Sequence, residues 1–330
     1  MPEIPFGLAV VLLLVLAAEF VNGWTDAPNA IATVVSTRVL SPRKAVVLAT
    51  VLNIAGTFIG TAVATTIGKG IVEASVINLT TIGAAMVSIV IWSTVAWRFG
   101  LPTSESHALV SGLAGAGFAT AGSKALLWAG WQKVGIGILL STFLGFFGGL
   151  IIIVLIYWTC KRVSAGKVRK VFGKLQILSA AFMALGHGNN DGQKFIGAFC
   201  LALFLGGVIP EFAIQWWVVV LCSVVMGIGT SIGGYRIIKT MGMKMVHLEP
   251  YQGFAAETGA ALTIQLASAF GIPLSTTHTI STSIIGAGSA KRLSAVRWGV
   301  VREIVLAWVL TFPICGGISW LVCIIFQNIF

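Results

Sequence analysis

The chain has 330 residues, of which 57% are hydrophobic and only 9% charged, with a formal net charge of +11. A soluble domain carries about 25% charged residues, so this composition argues against a soluble enzyme or binding module and for an all-α polytopic membrane protein. The basic excess falls in short segments between apolar runs, a pattern that membrane topology explains and that excludes nucleic acid as a partner.

Taken in chain order, runs of roughly 20 apolar residues predict spans near 4–22, 43–66, 77–98, 134–159, 175–208, 213–238, 251–271 and 299–326. The first lacks a basic flank and a cleavage site, so it is read as a span and not as a signal peptide. Two further segments, 101–122 and 273–290, are rich in Gly, Ser and Thr and each has a proline at its beginning, Pro102 and Pro273. They read as broken or re-entrant helices, which survive at membrane depth only when buried in protein or lining a cavity. The total is about 10 membrane-crossing segments. Cys160, Cys200, Cys222, Cys315 and Cys323 lie scattered in apolar sequence without ligand spacing, and read as small hydrophobes.

With both termini outside, Arg38, Arg43, Lys44, Arg98, the 161–174 cluster, Arg236, Lys239, Lys244, Lys291, Arg292, Arg297 and Arg302 fall on the cytoplasmic side. Only Lys69, Lys124 and Lys133 fall outside. This asymmetry fixes the expected orientation. The basic 161–174 loop reads as a cytoplasmic connector between halves, open to a lipid or partner.

The chain repeats itself. Leu101-Pro102-Thr103-Ser104-Glu105-Ser106-His107 aligns with Ile272-Pro273-Leu274-Ser275-Thr276-Thr277-His278, and Gly115-Ala116-Gly117 aligns with Gly286-Ala287-Gly288 at the same offset. Asp26 and Asp191, the only two aspartates, match at a slightly smaller one. An odd number of crossings separates equivalent points, so the halves are expected to be two inverted-topology repeats, 1–160 and 175–330, with substrate bound between broken helices of both.

The two proline-led clusters carry the candidate chemistry. Helix N-termini beside Thr103, Ser104 and Ser106, and beside Ser275, Thr276 and Thr277, would offer N–H groups and hydroxyls to a small oxyanion. His107 and His278 read as donors to that anion, as proton carriers, or as packing residues. Asp26 and Asp191, with Asn22, Asn29, Asn189 and Asn190, supply hard oxygen ligands on backbone expected to be unwound, which suits a coupling cation or a shared proton. Glu257 stands alone in an apolar span, with Met86 at the matching place, and reads as a coupling or gating carboxylate. Glu105 is expected near the cavity, with Glu19 and Glu303 as weaker candidates. Lys194 falls where Asn29 sits in the first half, so its ammonium occupies or neutralises a region that could ligate a cation in the other half.

At Asp26-Ala27-Pro28-Asn29, Asn53-Ile54-Ala55-Gly56, Gly188-Asn189-Asn190-Asp191-Gly192-Gln193-Lys194 and Gly253 through Glu257 to His278, the chain resembles the inorganic phosphate transporter (PiT) family over essentially its whole length. The resemblance implies an inverted-repeat symporter of the inner membrane that imports phosphate by elevator-like alternating access. Phosphate would sit between the Ser/Thr hairpins and the two aspartates, coupled to H+ or Na+ through Asp26, Asn29, Asn190, Asp191, Lys194 and Glu257. The motifs also bring in Asn53 and Gln193. It implies no resident cofactor and no fixed structural metal; the cargo is phosphate with its coupling cation, or a divalent-metal phosphate complex. A homo-oligomer is left open. Asn53, where sodium-coupled animal members carry glutamate, and Lys194, where they carry Asn, resemble the bacterial proton-coupled branch. Two alternatives stand beside this reading: a sulfate permease of the same family and an intramembrane phosphoester hydrolase. Against the second, no metal-ligand cluster and no nucleophile–base pair is spaced in the sequence as catalysis would require.

Overall fold

The computed structural model describes residues 5–329, so the first residue of the predicted 4–22 span and the extreme ends of both repeats lie outside it. No strand occurs among the described residues; two isolated bridges join Val72 to Leu126 and Val246 to Val296. The helices are α1 (Phe6–Ser36), α2 (Pro42–Gly56), α3 (Ala62–Gly70), α4 (Leu79–Phe99), α5 (Glu105–Ala121), α6 (Trp128–Thr159) and α7 (Ala165–His187). They continue as α8 (Gln193–Leu205), α9 (Trp216–Ile232), α10 (Tyr235–Lys239), α11 (Pro250–Ala269), α12 (Thr276–Ser289) and α13 (Trp298–Ile329).

Four of these, α1, α4, α6 and α13, are each long and apolar enough to cross a bilayer, and α9 with α10 and the turn after it makes a fifth, bent by 57°. Among the described residues, four to five spans thus meet the length and hydropathy of a crossing helix, and the other predicted segments are shorter, broken or less apolar. The predicted 43–66 span divides at 57–61 into α2 and α3. The 213–238 span bends at Gly233, whose φ of 76° terminates α9 in a conformation that favours glycine. The 161–174 connector is mostly helix. Only 160–164 turns, and Lys167, Arg169, Lys170 and Lys174 lie on the first turns of α7, because nothing in this Lys- and Arg-rich stretch breaks a helix.

Equivalent positions of the two halves carry equivalent elements. Leu79 and Pro250 begin α4 and α11, Glu105 and Thr276 begin α5 and α12, and Trp128 and Trp298 begin α6 and α13, each of 32 residues. Gly100 (φ 70°) and Gly271 (φ 64°) turn the chain out of α4 and α11. Extended lead-ins follow, and Ser104 and Ser275 then cap α5 and α12, accepting the N–H of His107 at 3.3 Å and of His278 at 3.1 Å. Pro102 and Pro273 thus sit in the lead-ins and do not open the helices, since the serine caps set the start.

The halves interlock. The long helix α6 packs on α11 and α12, and α13 packs on α4 and α5. Glycines permit the close approach: a Cβ on Gly115 would lie 2.1 Å from the Gly316 carbonyl oxygen, and one on Gly286 2.1 Å from that of Phe146.

Two apolar cores result, separated by a polar layer. Leu8, Val11, Val15 and Ala18 of α1 join Phe195, Phe199 and Leu203 of α8 in one core. Ile31, Val34 and Val35 of α1 join Ala180, Met183 and Ala184 of α7 in the other. Hence α1 runs antiparallel to the α7–α8 pair. Between the cores lie Glu19, Asn22, Thr25, Asp26 and Asn29 of α1, facing the stretch from His187 to Lys194. Arg38, Arg169 and His247 line a cavity of 490 Å³ at one end of the molecule, and Lys69 and Lys133 line another of 330 Å³ near Trp128.

The aspartate motifs are not unwound, contrary to the sequence-based expectation. α1 passes unbroken through Asp26 with Pro28 inside it, the proline and the Trp24 carbonyl being covered by Gly234. In the second half, Gly188–Gly192 forms a π-helical turn joining α7 to α8 without a break.

Gly286→Leu is expected to cost about 1–3 kcal/mol or more by overpacking α12 against α6, lowering the unfolding temperature of detergent-purified protein. Gly135→Leu, at an exposed site on α6 with nothing within 4 Å of its Cβ, should leave that temperature unchanged.

Candidate functional site

The polar layer is built from four elements: α1, the π turn with the start of α8, and the N-terminal turns of α5 and α12. Every side chain in it is nearly inaccessible, with Asp26 3%, Asn29 2%, Asp191 1%, Thr276 1%, Thr277 1% and Lys194 0% exposed. The site is closed to both sides.

At its centre lies a buried charge pair. The Lys194 ammonium donates to Asp191 Oδ1, to Ser106 Oγ at the start of α5, and to the Leu274 carbonyl in the lead-in of α12 at 3.0 Å. Asp191 Oδ2 accepts from Thr276 Oγ1 at 2.6 Å and lies 3.2 Å from His187 Nε2. Ser106 Oγ also donates to Leu274 O at 2.8 Å. One lysine therefore ties α8 to the tips of both short helices.

Asp26 approaches from α1. Its Oδ1 accepts from Thr277 Oγ1 at 3.4 Å, and its Oδ2 accepts from no described group. Asn29, one turn on, donates to Thr276 Oγ1 at 3.2 Å and Thr277 Oγ1 at 3.0 Å. Asp26, His187 and Asp191 each present one ligand atom, all within 4.8 Å of one another. Two carboxylates this close in a low-dielectric layer need positive charge between them. A carboxylate pair with one imidazole is a donor set that fits a cation.

The remaining candidates divide. Glu105 accepts from Thr25 Oγ1 and from Ser93 Oγ, both at 2.8 Å, and so adjoins the Asp26 side of the layer. Thr103 is buried in the α5 lead-in. Ser104 and Ser275 are spent as helix caps. His107 and His278 meet edge to face with ring centroids 4.5 Å apart, and His278 stacks on Trp308 at 3.7 Å. Their His107 Nδ1 and His278 Nε2 have no hydrogen-bond partner among the described residues.

Others face elsewhere. Asn189 donates to Gln265 Oε1 (2.8 Å) and accepts from Gln193 Nε2 (2.7 Å), while Gln193 Oε1 takes the first N–H groups of α3 from Val63 and Ala64. Asn190 reaches Ser268 Oγ at 2.8 Å. Asn53 donates to Thr230 and meets His187 Nδ1 at 3.2 Å. Asn22 donates to Glu19 at 2.9 Å. Glu257 sits in a separate buried nest, accepting from Thr33, Ser179 and Gln176. Glu303 is exposed on α13.

Sequence reasoning did not single out His187, Thr25, Thr33, Ser179 or Trp308 as site residues. The i, i+4 spacing of His187 and Asp191 on one helical face was a usable signal. Thr33 and Ser179 carry none, because isolated hydroxyls on apolar helices are common and only the tertiary fold brings them to Glu257.

Comparison with known proteins agrees with this geometry. Residues 22–319 match the model of the phosphate transporter family. A protein of Rhizobium meliloti (strain 1021) named "Probable low-affinity inorganic phosphate transporter" is 45% identical over 317 residues, covering 95% of each chain. One of the same name from Bacillus subtilis (strain 168) is 37% identical over 324 residues, covering 97% of each. Among solved structures, "The sodium-dependent phosphate transporter" superposes with a TM-score of 0.88 at 23% identity, covering 98% of this chain and 100% of the other; it shares the fold.

Removing the buried ammonium should strand Asp191. Lys194→Met is expected to destabilise the protein by about 3–5 kcal/mol in sodium-free buffer, read as a fall in unfolding temperature. Asp191→Asn combined with Lys194→Met should regain most of the loss. Equal melting of the single and double variants would refute the pairing.

Proposed function

From the premise that this chain belongs to the phosphate transporter family, we propose that it is a symporter carrying inorganic phosphate through the closed layer between its two apolar cores. Family membership makes it an integral membrane transporter and not an enzyme, which removes the phosphoester hydrolase alternative. One observation carries the substrate reading: Asp26, Asp191, Asn29, Thr276 and Thr277 converge at the capped tip of α12, to which Ser106 joins the tip of α5.

That arrangement suits a tetrahedral oxyanion that still bears a proton. The Thr276 and Thr277 hydroxyls, the Asn29 amide and the α12 N-terminus donate to its oxygens. The Asp26 carboxylate, with an oxygen left without a donor, accepts from its O–H. Sulfate has no proton at neutral pH and meets that carboxylate with repulsion alone, so phosphate is preferred over the sulfate alternative.

Coupling is assigned to the same layer. An anion entering beside Asp26 and Asp191 adds negative charge to a dry region, which a proton or sodium ion must offset. The Asp26, His187 and Asp191 triad supplies a place for that cation, and for a divalent metal if phosphate travels as a metal complex. Glu257, apart from the triad, acts on coupling through its contact with Thr33 of α1.

The transport cycle follows from the internal repeat. The halves are taken as inverted repeats about the membrane plane, with both termini outside and the Arg38, Arg98, Arg169 and Arg236 end in the cytoplasm. Two supports are the antiparallel course of α1 and the α7–α8 pair, and the pairing of each long helix with the opposite half's short one. In an elevator-like step the closed layer is carried along these long helices, opening to one side and then the other.

In proteoliposomes, uptake of labelled phosphate should persist in excess sulfate, whereas Asp26→Asn and Asp191→Asn should each lower it by about tenfold or more per unit of folded protein reconstituted. Imposing sodium and proton gradients separately identifies the coupling ion. Sulfate competing as well as unlabelled phosphate would overturn the substrate assignment.

A further inference from the structure

We infer that the Lys194 ammonium is a built-in cation: it fills one of two equivalent cation sites, so that a single mobile cation, held on the Asp26 side, accompanies each transported anion. This rests on the transport reading above and adds the residue that sets how many cations are carried.

The geometry around Nζ is that of a monovalent-cation site. Its three partners are a carboxylate oxygen of Asp191, the Ser106 hydroxyl and the main-chain carbonyl of Leu274. These hard oxygens are of the kind that ligate a metal cation when no lysine is present. They also match the three donors of an ammonium, so the site is filled with charge and hydrogen-bonding capacity together. Lys194 is 0% exposed, and snorkelling to an interface is excluded.

The other half has the same frame with a different occupant. Asn29 follows Asp26 by three residues as Lys194 follows Asp191. Asn29 reaches Thr277, and Lys194 reaches Ser106, the residue that aligns with Thr277 in the repeat. The amide brings no charge. Among the described residues Asp26 accordingly forms no ion pair, His187 approaching it only to within 4.8 Å, and it retains one oxygen without a donor, while Asp191 pairs with both the ammonium and His187. Two equivalent carboxylates thus differ in one respect: the chain itself neutralises Asp191, and Asp26 must draw its counter-charge from solution.

The mobile counter-charge and the fixed one are interchangeable in this frame. Lys194→Asn reproduces the first-half residue at the second-half position, shortens the side chain and frees the three oxygens. The variant should then take a sodium ion where the ammonium was. Its unfolding temperature, measured without phosphate in detergent, should rise by at least about 2 °C more than that of the wild type when about 100 mM choline chloride is replaced by sodium chloride. Adding Asp191→Asn to Lys194→Asn should abolish the extra rise.

A second measurement uses the unaltered protein. Wild-type phosphate uptake should depend on its coupling cation with a Hill coefficient near one, and a value near two would overturn the inference. So would a Lys194→Asn protein whose sodium response equals that of the wild type, or an extra response that survives Asp191→Asn. The melting assay contains no phosphate. Failure of the phosphate reading would show instead as absent wild-type uptake, with the sodium response of the variant unaffected.

Discussion

The structure depends on how two carboxylates are kept in a layer that neither water nor lipid reaches. Moving an ion of this size into such a medium costs several kcal/mol even after relaxation, and Asp26 and Asp191 lie close enough to add mutual repulsion. One of them is met by an ammonium whose other protons are satisfied by a serine and a carbonyl from two different short helices. The fold is accordingly pinned at its centre by α8, α5 and α12 at once. Apolar packing above and below supplies the bulk of the stability, whereas this contact sets the register in which the halves meet.

Around that contact the backbone is nearly symmetrical and the chemistry is not. Gly100 and Gly271, Ser104 and Ser275, and the 32-residue helices α6 and α13 repeat the same local solution. Over this shared frame, Glu105 stands where the second half has Thr276, Lys194 where the first has Asn29, and Glu257 where the first has Met86. Each exchange swaps a neutral side chain for a charged one, so each half carries a different share of the electrostatics.

Much of this was legible in the sequence, for physical reasons that can be named. Composition and the apolar runs specify membrane helices, because nothing else satisfies the backbone in lipid. The duplicated proline-led Ser/Thr/His cluster marks the two short helices, and the caps at Ser104 and Ser275 fall within it. The helix count was less legible, since α2, α3 and α10 are too short to signal a span and the segment after Ser164 has the composition of a loop with the propensity of a helix. The state of the aspartate motifs was misjudged for a related reason. Glycine, asparagine and proline weaken an isolated helix, yet here α1 stays wound because Gly234 covers Pro28 and its neighbours. Contacts such as Thr33 and Ser179 with Glu257 join segments more than seventy residues apart, and no local pattern announces them.

The closed state of the site bears on how it must open. Lys194 holds one short helix from each half, so separating α5 from α12 breaks either its bond to Ser106 or its bond to Leu274, and in each case leaves a buried ammonium short of an acceptor. Moving the pair as a body past the long helices α6 and α13 breaks neither. The glycine contacts at Gly115 and Gly286 bring α5 and α12 against those helices backbone to backbone, with few side-chain knobs to lift out of holes during a slide. A hinge between α5 and α12 would tear this charge network, whereas a translation of the pair would preserve it, and the elevator-like step proposed above is compatible with the contacts of Lys194.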